Sequence, residues 1–194
     1  MKKQLQISVL FTLVTTLIFG VVYPVVVTGI ARVAFPSQAD GSLIVRNGQV
    51  VGSRLIGQNF SADKYFHPRP SAAGSGYDSM ASGGSYLGPT NQALVSRVQA
   101  DVDRLRQERP GVPIPADLVT TSASGLDPDV SPAGADFQVP RVAKARGISE
   151  DEVRRAVARH TQSRQYGFLG EPRVNVLELN LDLDGLSLPV VPKP

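Results

Sequence analysis

A glycine-rich string and a Ser-x-x-Lys pattern are the first places in this 194-residue sequence where chemistry could occur. The backbone amides of Ser82-Gly83-Gly84-Ser85 could face an anion, although such a string more often forms a tight structural turn. The pattern Ser61-Ala62-Asp63-Lys64 is found in penicillin-binding enzymes, where the serine is the nucleophile. No Lys-Thr-Gly triad follows it, and the domain is too small for that fold. An anchored Ser-x-x-Lys hydrolase is therefore a remote alternative.

The other candidates are two histidines, two aspartates and one glutamine. His67 and His160 have no acidic residue at metal-ligand spacing, so we interpret His67 as part of a loop and His160 as a helix surface residue. Asp127 and Asp129 could act as acid and base, but the proline between them favours turn caps. Gln138 could hydrogen-bond an amide, a base or a backbone group, and structural capping is the simpler interpretation. We predict no catalytic residue and no metal site.

Composition excludes several further classes of protein. There is no cysteine, which excludes disulfides, thiolate zinc sites and cysteine nucleophiles. The formal net charge is +3, and Lys2 and Lys3 supply two of these charges, so the rest of the chain is almost neutral. Tryptophan is absent and aromatic residues are few, which argues against nucleic-acid binding. No phosphate-binding loop or DKTG-like motif occurs, so we do not expect the chain to hydrolyse ATP.

The elements that must position these residues begin with a membrane anchor. No charged residue lies between Lys3 and Arg32, and Val, Leu, Ile, Phe and Thr dominate the stretch. A transmembrane helix needs about 20 such residues, whereas the apolar core of a cleaved signal peptide is shorter and ends in small residues. We predict a cytoplasmic N-terminus at 1–6, one transmembrane helix at 7–28 and a single soluble domain at 29–194.

The charges that flank the anchor predict its orientation. Lys2, Lys3 and the amino terminus precede it, whereas Arg32 is followed by no basic residue until Arg46. The positive-inside rule then places the short end in the cytoplasm and the soluble domain in the periplasm or its equivalent. The predicted location is the inner (plasma) membrane, and the lipid bilayer is one predicted partner.

The soluble part carries the patterns of an α+β fold, with a mostly antiparallel sheet, two to three helices and a long ordered loop. Asn47-Gly48 is a type I′ turn pair, and Ser149 with Glu152 forms a capping box. Leucines alternate with polar residues near the C-terminus, as in a half-buried strand. The predicted elements are a hairpin at 42–54, a loop at 61–90 anchored by Tyr65, Phe66, Tyr77 and Tyr86, a helix from Asn91 with Leu94, Val95, Val98, Val102 and Leu105 on one face, a candidate strand at 119–121, helices at 133–146 and from Ser149, a strand at 173–184 with a bulge near Val176, and a loose tail at 186–194.

Several strings along the chain resemble the KdpC family, the C subunit of the bacterial high-affinity potassium-transporting P-type ATPase. None of them is decisive alone, but their order behind one anchor is specific, and they cover nearly the whole chain. The strings are Tyr23-Pro24, Gly41-Ser42-Leu43-Ile44, Leu55-Ile56-Gly57-Gln58-Asn59-Phe60, Tyr65-Phe66-His67-Pro68-Arg69-Pro70-Ser71-Ala72, Ala81-Ser82-Gly83-Gly84-Ser85, Thr121-Ser122-Ala123-Ser124-Gly125-Leu126-Asp127, Gln138-Val139-Pro140-Arg141-Val142-Ala143 and Val174-Asn175-Val176-Leu177-Glu178-Leu179-Asn180-Leu181.

The resemblance implies an accessory subunit that does not hydrolyse ATP itself. Its implied partners are a channel-like potassium-binding subunit, an ATP-hydrolysing P-type subunit and a small hydrophobic subunit. The family is described as needed for assembly and as a catalytic chaperone that raises the ATP affinity of the hydrolysing subunit. Nucleotide contacts in the family correspond to Gln138 and to Ser82, Gly83, Gly84 and Ser85 here. The chain is expected to carry no cofactor of its own, and ATP would enter only through the complex.

The predicted orientation conflicts with the nucleotide role. ATP is cytoplasmic, whereas an anchor with its N-terminus inside places Gln138 outside. We therefore favour an assembly role for an external domain, and a membrane-anchored nucleotide-binding regulatory module is the alternative.

Overall fold

The computed structural model of the chain describes residues 1–46 and 48–185. It divides into two compact units, Met1–Ser53 and a second that begins at Arg54. Helices and antiparallel strands together give the predicted α+β fold. The predicted Asn47-Gly48 turn pair includes one residue outside the described range, and the predicted loose tail lies wholly outside it.

The first unit begins with a continuous helix, Lys2–Ala34, which is long and apolar enough to cross a membrane. It consists of α1 (Lys2–Leu17), a π turn (Ile18–Val22) and α2 (Tyr23–Ala34). Pro24 has no N–H to donate to the carbonyl of Gly20, four residues earlier, which accounts for the π turn at this place. No residue of α1 or α2 is buried, so the apolar side chains are free to meet lipid or a neighbouring helix.

A short helix and a hairpin complete the first unit. The helix α3 is Pro36–Ala39, and the strands β1 (Leu43–Arg46) and β2 (Gln49–Ser53) pair antiparallel. The Ser53 hydroxyl donates a 2.7 Å hydrogen bond to the Gly41 carbonyl, which closes the open end of the hairpin. The hairpin predicted at 42–54 is confirmed.

The second unit packs a small sheet against helices. Its strands follow the order β3-β5-β4 and pair antiparallel. The elements of its described residues are α4 (Gln92–Glu108), a 3₁₀ turn (Ala116–Leu118), β3 (Asp129–Val130), α5 (Pro132–Arg146), α6 (Glu150–His160), β4 (Thr161–Gln162), β5 (Arg173–Asn175) and α7 (Val176–Leu183).

Helix α5 lies at the centre of the second unit because it supplies both hydrophobic cores. Phe137 joins the smaller core with Leu105, Leu118 and Val119. Burial of these apolar side chains is the main favourable term in the folding of the unit. The larger core consists of Phe66, Val130, Ala135, Val139, Val142, Ala143, Val153, Ala156, Val157, Val174, Val176 and Leu179.

A proline inside α5 is accommodated by an arginine from outside the helix. Pro140 cannot donate to the carbonyl of Asp136, which would normally leave that acceptor without its helical partner. Arg109 compensates, because its Nη1 donates to the carbonyls of Asp136 and Phe137, each at 3.2 Å. The helix therefore continues to Arg146 without breaking.

The predicted helix starts are confirmed. Asn91 caps α4 by accepting from the N–H of Ala93 at 2.8 Å, and Ser149 caps α6 by accepting from the N–H of Glu152 at 3.2 Å. These local hydrogen bonds satisfy donors that a helix leaves unpaired at its first turn. The helix predicted at 133–146 is also confirmed, and it begins one residue earlier.

The strand predicted at 173–184 is wrong for most of its length. Only Arg173–Asn175 is a strand, and Val176–Leu183 is helix α7. Asn175 starts that helix by accepting from the N–H of Glu178 at 3.0 Å. The alternation of leucines is typical of a strand, but the segment also carries a second pattern. Val176, Leu179, Asn180 and Leu183 have the i, i+3, i+4, i+7 spacing of one helix face, and this is the face that α7 buries. The phase change at Val176, predicted as a bulge, is the point where strand becomes helix.

Three smaller predictions also need correction. The candidate strand at 119–121 is wrong: a 3₁₀ turn ends at Leu118, and the Thr120 hydroxyl bonds back to the Ala116 carbonyl at 2.7 Å. Val95, placed on the buried face of α4, is exposed. The described residues of the second unit hold four α-helices instead of two or three, since α7 replaces the long strand.

Candidate functional site

One segment of the second unit has no helix or strand and is held by side chains from two helices; this is residues 63–67, which we call the clamped segment. It belongs to the long loop that the sequence predicts. Each of its five carbonyl groups accepts a hydrogen bond from a side chain on α5 or α7. Buried backbone polar groups must be paired, and here helix side chains replace the strand or helix neighbour that the segment lacks.

Two buried amide side chains hold the end of the clamped segment. Asn180 accepts from the N–H of Phe66 at 2.8 Å and donates to its carbonyl at 3.0 Å. Gln138 likewise accepts from the N–H of His67 at 2.7 Å and donates to its carbonyl at 3.0 Å. Both amides are almost fully buried, at 2% exposure for Gln138 and 1% for Asn180. Each amide therefore acts as one more peptide group in a strand-like pair.

Two arginines hold the start of the clamped segment. Nη1 of Arg141 donates to the carbonyls of Asp63 and Tyr65, at 2.7 and 3.0 Å. Nε of Arg146 donates to the carbonyl of Lys64 at 2.7 Å. Hydrogen bonds from charged donors are shorter and stronger than neutral ones, so these contacts fix the path of the backbone.

The same arginines link the clamped segment to the helices around it. Arg141 bonds the Gln138 amide oxygen at 2.8 Å and forms an ion pair with Glu108 of α4 at 3.0 Å. Arg146 forms an ion pair with Asp184 at 2.9 Å, and the hydroxyl of Tyr65 donates to the same carboxylate at 3.0 Å. The guanidinium of Arg146 also lies 5.3 Å from the centroid of the Tyr65 ring. These pairs join α4, α5 and α7 around one loop.

The local sequence partly explains this arrangement. Gln138 and Arg141 are three residues apart on α5, so their side chains leave the same face. Of the side chains that hold the clamped segment, Gln138 was a candidate from the sequence, whereas Arg141, Arg146 and Asn180 were not. Asn180 alternates with leucines as Glu178 and Asp182 do, so no local signal distinguished it from the neighbouring polar residues.

The amide of Gln138 has its hydrogen-bonding capacity largely occupied within the fold. Its oxygen accepts from His67 and Arg141, and its nitrogen donates to the carbonyls of His67 and, at 3.2 Å, Gly134. An amide oxygen has two lone pairs and an amide nitrogen two protons. A further ligand would have to replace one of these bonds.

The glycine-rich string lies against a different part of the loop. The Ser82 hydroxyl and the Gly83 N–H both bond the Ser124 carbonyl, at 3.0 and 2.9 Å. Gly125 has φ +66°, and a Cβ there would lie 2.6 Å from the Gly83 carbonyl oxygen, so this close approach requires glycine. These bonds share no residue with those of Gln138, and the nucleotide role of Ser82, Gly83, Gly84 and Ser85 stays a prediction.

Asp127 and Asp129 are paired with arginines. Asp127 accepts from the N–H of Asp129 at 3.0 Å and forms an ion pair with Arg69 at 2.9 Å, so the predicted turn cap is confirmed. Asp129 forms an ion pair with Arg173 at 3.0 Å. Burial, and then the nearby Asp127, raise the pKa of Asp129, while Arg173 and Asn175 oppose the rise. Both carboxylates line a groove of about 280 Å³, and each is paired there with an arginine.

The two histidines also have defined partners. His67 lies in the loop, as predicted, with its Nε2 3.2 Å from the Ala62 carbonyl and 3.4 Å from Arg141. Burial and the positive charge of Arg141 lower the pKa of His67. His160 ends α6 with its ring 3.1 Å from Asp182. No group of three metal-ligating residues occurs in residues 1–46 and 48–185.

Three of the four predicted aromatic anchors of the loop make contacts within the fold. Phe66 is completely buried in the larger core, and the hydroxyl of Tyr77 donates to the carbonyl of Arg69. Tyr65 packs beside Arg146, as above. Tyr86 is 89% exposed, so its prediction as an anchor is wrong.

Comparison with known proteins gives a consistent result. A family model described as KdpC, the c chain of the K⁺-transporting ATPase, matches residues 5–185. The potassium-transporting ATPase KdpC subunit of Koribacter versatilis is 63% identical over 185 residues, which cover 95% of this chain and 96% of that protein. The proteins of the same name from Rhodopseudomonas palustris and Acidobacterium capsulatum are 54% and 56% identical, over 95% and 94% of this chain and 98% of each relative.

Proposed function

This chain belongs to the KdpC family, and we propose that it is the accessory, non-hydrolysing subunit of an ATP-driven potassium import complex, which it stabilises in the assembled form. The family match and the relatives named above support the subunit assignment. The proposed partners are those that the resemblance implies: a channel-like potassium-binding subunit, an ATP-hydrolysing subunit and a small hydrophobic subunit.

The buried amide of Gln138 is the observation that most favours an assembly role over a chemical one. Gln138 is the residue for which the resemblance implies a nucleotide contact, yet its amide is bonded to His67, Gly134 and Arg141. Arg141 and Arg146, on the same helix, donate hydrogen bonds to carbonyls of the clamped segment. These groups give the domain a fixed shape, which is what a subunit that braces others requires.

The apolar helix supplies the proposed contact with the membrane subunits. Its side chains are unburied within the chain, and Gly20 lies at the π turn, where the absence of a side chain permits close helix packing. Lys2 and Lys3 favour a cytoplasmic N-terminus, and we infer from this that the second unit lies outside the inner membrane. From there the domain would brace the channel-like subunit near the outer mouth of the potassium pathway.

A helix exchange tests the assembly role. Residues 4–34 are replaced by an unrelated transmembrane helix of equal length, so that Lys2 and Lys3 are kept. The tagged chain is then purified from membranes together with its complex. We expect the exchanged chain to reach the membrane but to lose the other subunits, because the tether remains while the packing surface is gone. Full retention of the other subunits would contradict a packing role for this helix. A deletion of residues 1–28 is the companion variant, and it should also lose the complex.

The increase in ATP affinity that the resemblance implies is the second candidate function. The exposed position of Ser82 favours it, because a surface hydroxyl beside glycines can meet a phosphate. Protease added to intact spheroplasts tests the side of the membrane: we expect the domain to be cut from outside. Protection until lysis would contradict the external placement. In the assembled complex we expect Ser82→Ala to leave the KM for ATP unchanged, and a raised KM would support the nucleotide role instead.

A further inference from the structure

An exposed turn between β4 and β5, residues 165–169, presents apolar side chains away from the domain; we call it the finger. Gln165 and Leu169 form an antiparallel bridge, with both N–H···O bonds at 2.9 Å. The N–H of Phe168 also bonds the Gln165 carbonyl at 3.2 Å. The turn is therefore closed by its own backbone, and it needs no side chain from elsewhere to hold it.

The apolar side chains of the finger face solvent. Tyr166 is 87% exposed, Phe168 is 70% exposed and Leu169 is 47% exposed. Single exposed apolar residues are common on protein surfaces, but three within four positions of one rigid turn form a cluster. Such clusters mark sites of interaction with other molecules.

The backbone of Tyr166 has a conformation that a bulky residue rarely adopts. Its φ is +51°, and that of the following Gly167 is +82°, as in a type I′ turn. Asparagine or glycine suits the first central position of that turn, whereas a bulky residue is strained there. Strain that is retained without a structural gain is a sign of function.

The charges around the finger favour a protein surface over a lipid surface. Arg164 and Glu171, at its base, form an ion pair at 2.6 Å, and the next cation, Arg173, is paired with Asp129 at 3.0 Å. Segments that adsorb to membranes usually carry an excess of Lys and Arg that attracts anionic lipid. Around the finger the positive and negative charges balance. Its aromatic side chains are therefore surrounded by polar residues without net charge, and an apolar centre with a polar rim is the composition of a protein interface.

We propose that the finger docks into an apolar pocket on another protein subunit of the transport complex, with Phe168 and Tyr166 as the buried anchors. The inference rests on the proposed function, which supplies the other subunits. Large aromatic side chains that enter a pocket commonly provide most of the binding free energy of an interface. A turn already closed in its final conformation also loses little entropy when it binds. The Tyr166 hydroxyl requires a hydrogen-bond partner at the rim of such a pocket.

A photo-crosslink in the assembled complex tests which molecule the finger meets. Phe168 is replaced by benzoylphenylalanine in the full chain, and native membranes that contain the complex are irradiated. Met80, which is 93% exposed on another loop, carries the same group in the control. We expect position 168 to form an adduct with a different polypeptide of the complex, and position 80 to form none with it. A predominant adduct with lipid, an adduct with a second copy of this chain, or a yield no higher than at position 80 would each overturn the proposal.

A matched pair of double variants measures the contribution of the finger. Tyr166→Asn with Phe168→Ser removes both anchors. Tyr86→Asn with Met80→Ser is the control, since Tyr86 is also exposed and has φ +52°. Asparagine tolerates this backbone conformation, so neither pair adds strain. We expect the finger variant to lose about tenfold or more in retention of the other subunits during washing, with the control unchanged and both thermal midpoints near that of the wild type.

The retention of the other subunits by the wild-type chain and by the finger variant distinguishes failure of the docking inference from failure of the proposed function. If the wild-type chain retains the other subunits and the finger variant retains them equally well, the docking inference is overturned and the assembly role stands. If the wild-type chain retains none, the proposed function fails first, and the docking inference fails with it.

Discussion

The clamped segment, 63–67, and the finger, 165–169, both lie outside the helices and strands, but they differ in the burial of their aromatic side chains. The clamped segment buries Phe66 completely, whereas the finger leaves Phe168 70% exposed. The backbone of the first is bonded by side chains 71 to 114 positions away. The backbone of the second is bonded within five residues.

This difference distinguishes a loop that is part of the core from a loop that exposes apolar side chains to solvent. A segment that depends on distant side chains for its hydrogen bonds is part of the core, and its residues are constrained by packing. A segment closed by its own backbone does not depend on its side chains for that closure, so its exposed apolar residues are available for a contact outside the chain. Stability measurements on paired variants test this division.

The largest expected difference is between two phenylalanines. Phe66→Ala should lower the free energy of unfolding by about 3–5 kcal/mol, because it leaves a cavity in the core. Phe168→Ala should change it by no more than about 0.5 kcal/mol. Chemical denaturation of the full chain in detergent, followed by circular dichroism, measures both. Equal losses would mean that the finger packs against the domain.

The buried amide should give the next largest effect. Gln138→Ala leaves the N–H and carbonyl of His67 without their partner, which should cost about 2–4 kcal/mol. Gln99→Ala, on the exposed face of α4, is the control and should cost less than about 0.5 kcal/mol. Gln138→Glu should fall between them, because a carboxylate still accepts from His67 and Arg141 but cannot donate. An alanine variant as stable as the wild type would show that the clamp is dispensable.

Two strained tyrosines provide a comparison of intermediate size. Tyr77 and Tyr166 have φ +57° and +51°, but only the Tyr77 hydroxyl donates to a loop carbonyl, that of Arg69. Tyr77→Asn should lower the free energy of unfolding by about 1–3 kcal/mol, whereas Tyr166→Asn should leave it unchanged or raise it by up to about 1 kcal/mol. Thermal midpoints of the two variants measure the contrast. Destabilisation by Tyr166→Asn would mean that this side chain supports the fold.

The smallest effect concerns pH and the clamped segment alone. Because burial and Arg141 lower the pKa of His67, the unfolded chain binds its proton more readily. Stability should therefore fall as pH drops below about 6.5, the ordinary pKa of histidine, and continue to fall through the lower pKa of the folded state. His67→Gln is neutral throughout and should show a smaller drop in thermal midpoint between pH 7.5 and pH 5. Parallel curves for the two proteins would contradict the lowered pKa.

Only part of the candidate site could be predicted from the sequence, and its connections could not. Gln138 was identified, and structural capping was the simpler interpretation of it. Its partner His67 was interpreted as loop, which is correct, but nothing in the sequence relates two positions 71 residues apart. Asn180 is one of the polar residues that alternate with leucines in the predicted strand at 173–184, whereas it is buried and holds Phe66. Tyr86 was taken as an anchor because composition does not distinguish an aromatic residue that packs from one that is displayed.

The sequence by itself determined the features that depend on neighbouring residues. The uninterrupted apolar stretch is enough to specify the long N-terminal helix, since its length is set against the thickness of a bilayer. The starts of α4 and α6 follow from Asn91 and Ser149, because a cap bonds a donor two or three residues away. The family resemblance likewise came from short strings in a fixed order.

Only the tertiary structure decided how residues 63–67 and 176–183 are held. Alternating leucines are typical of a strand. The segment forms helix α7 instead, which buries Leu179 and brings Asn180 to the backbone of Phe66. Part of the stabilisation of that choice comes from partners far along the chain, such as Phe66, which lies 114 positions from Asn180. No local pattern contains them, so the clamp and the exposed finger became visible only in the folded chain.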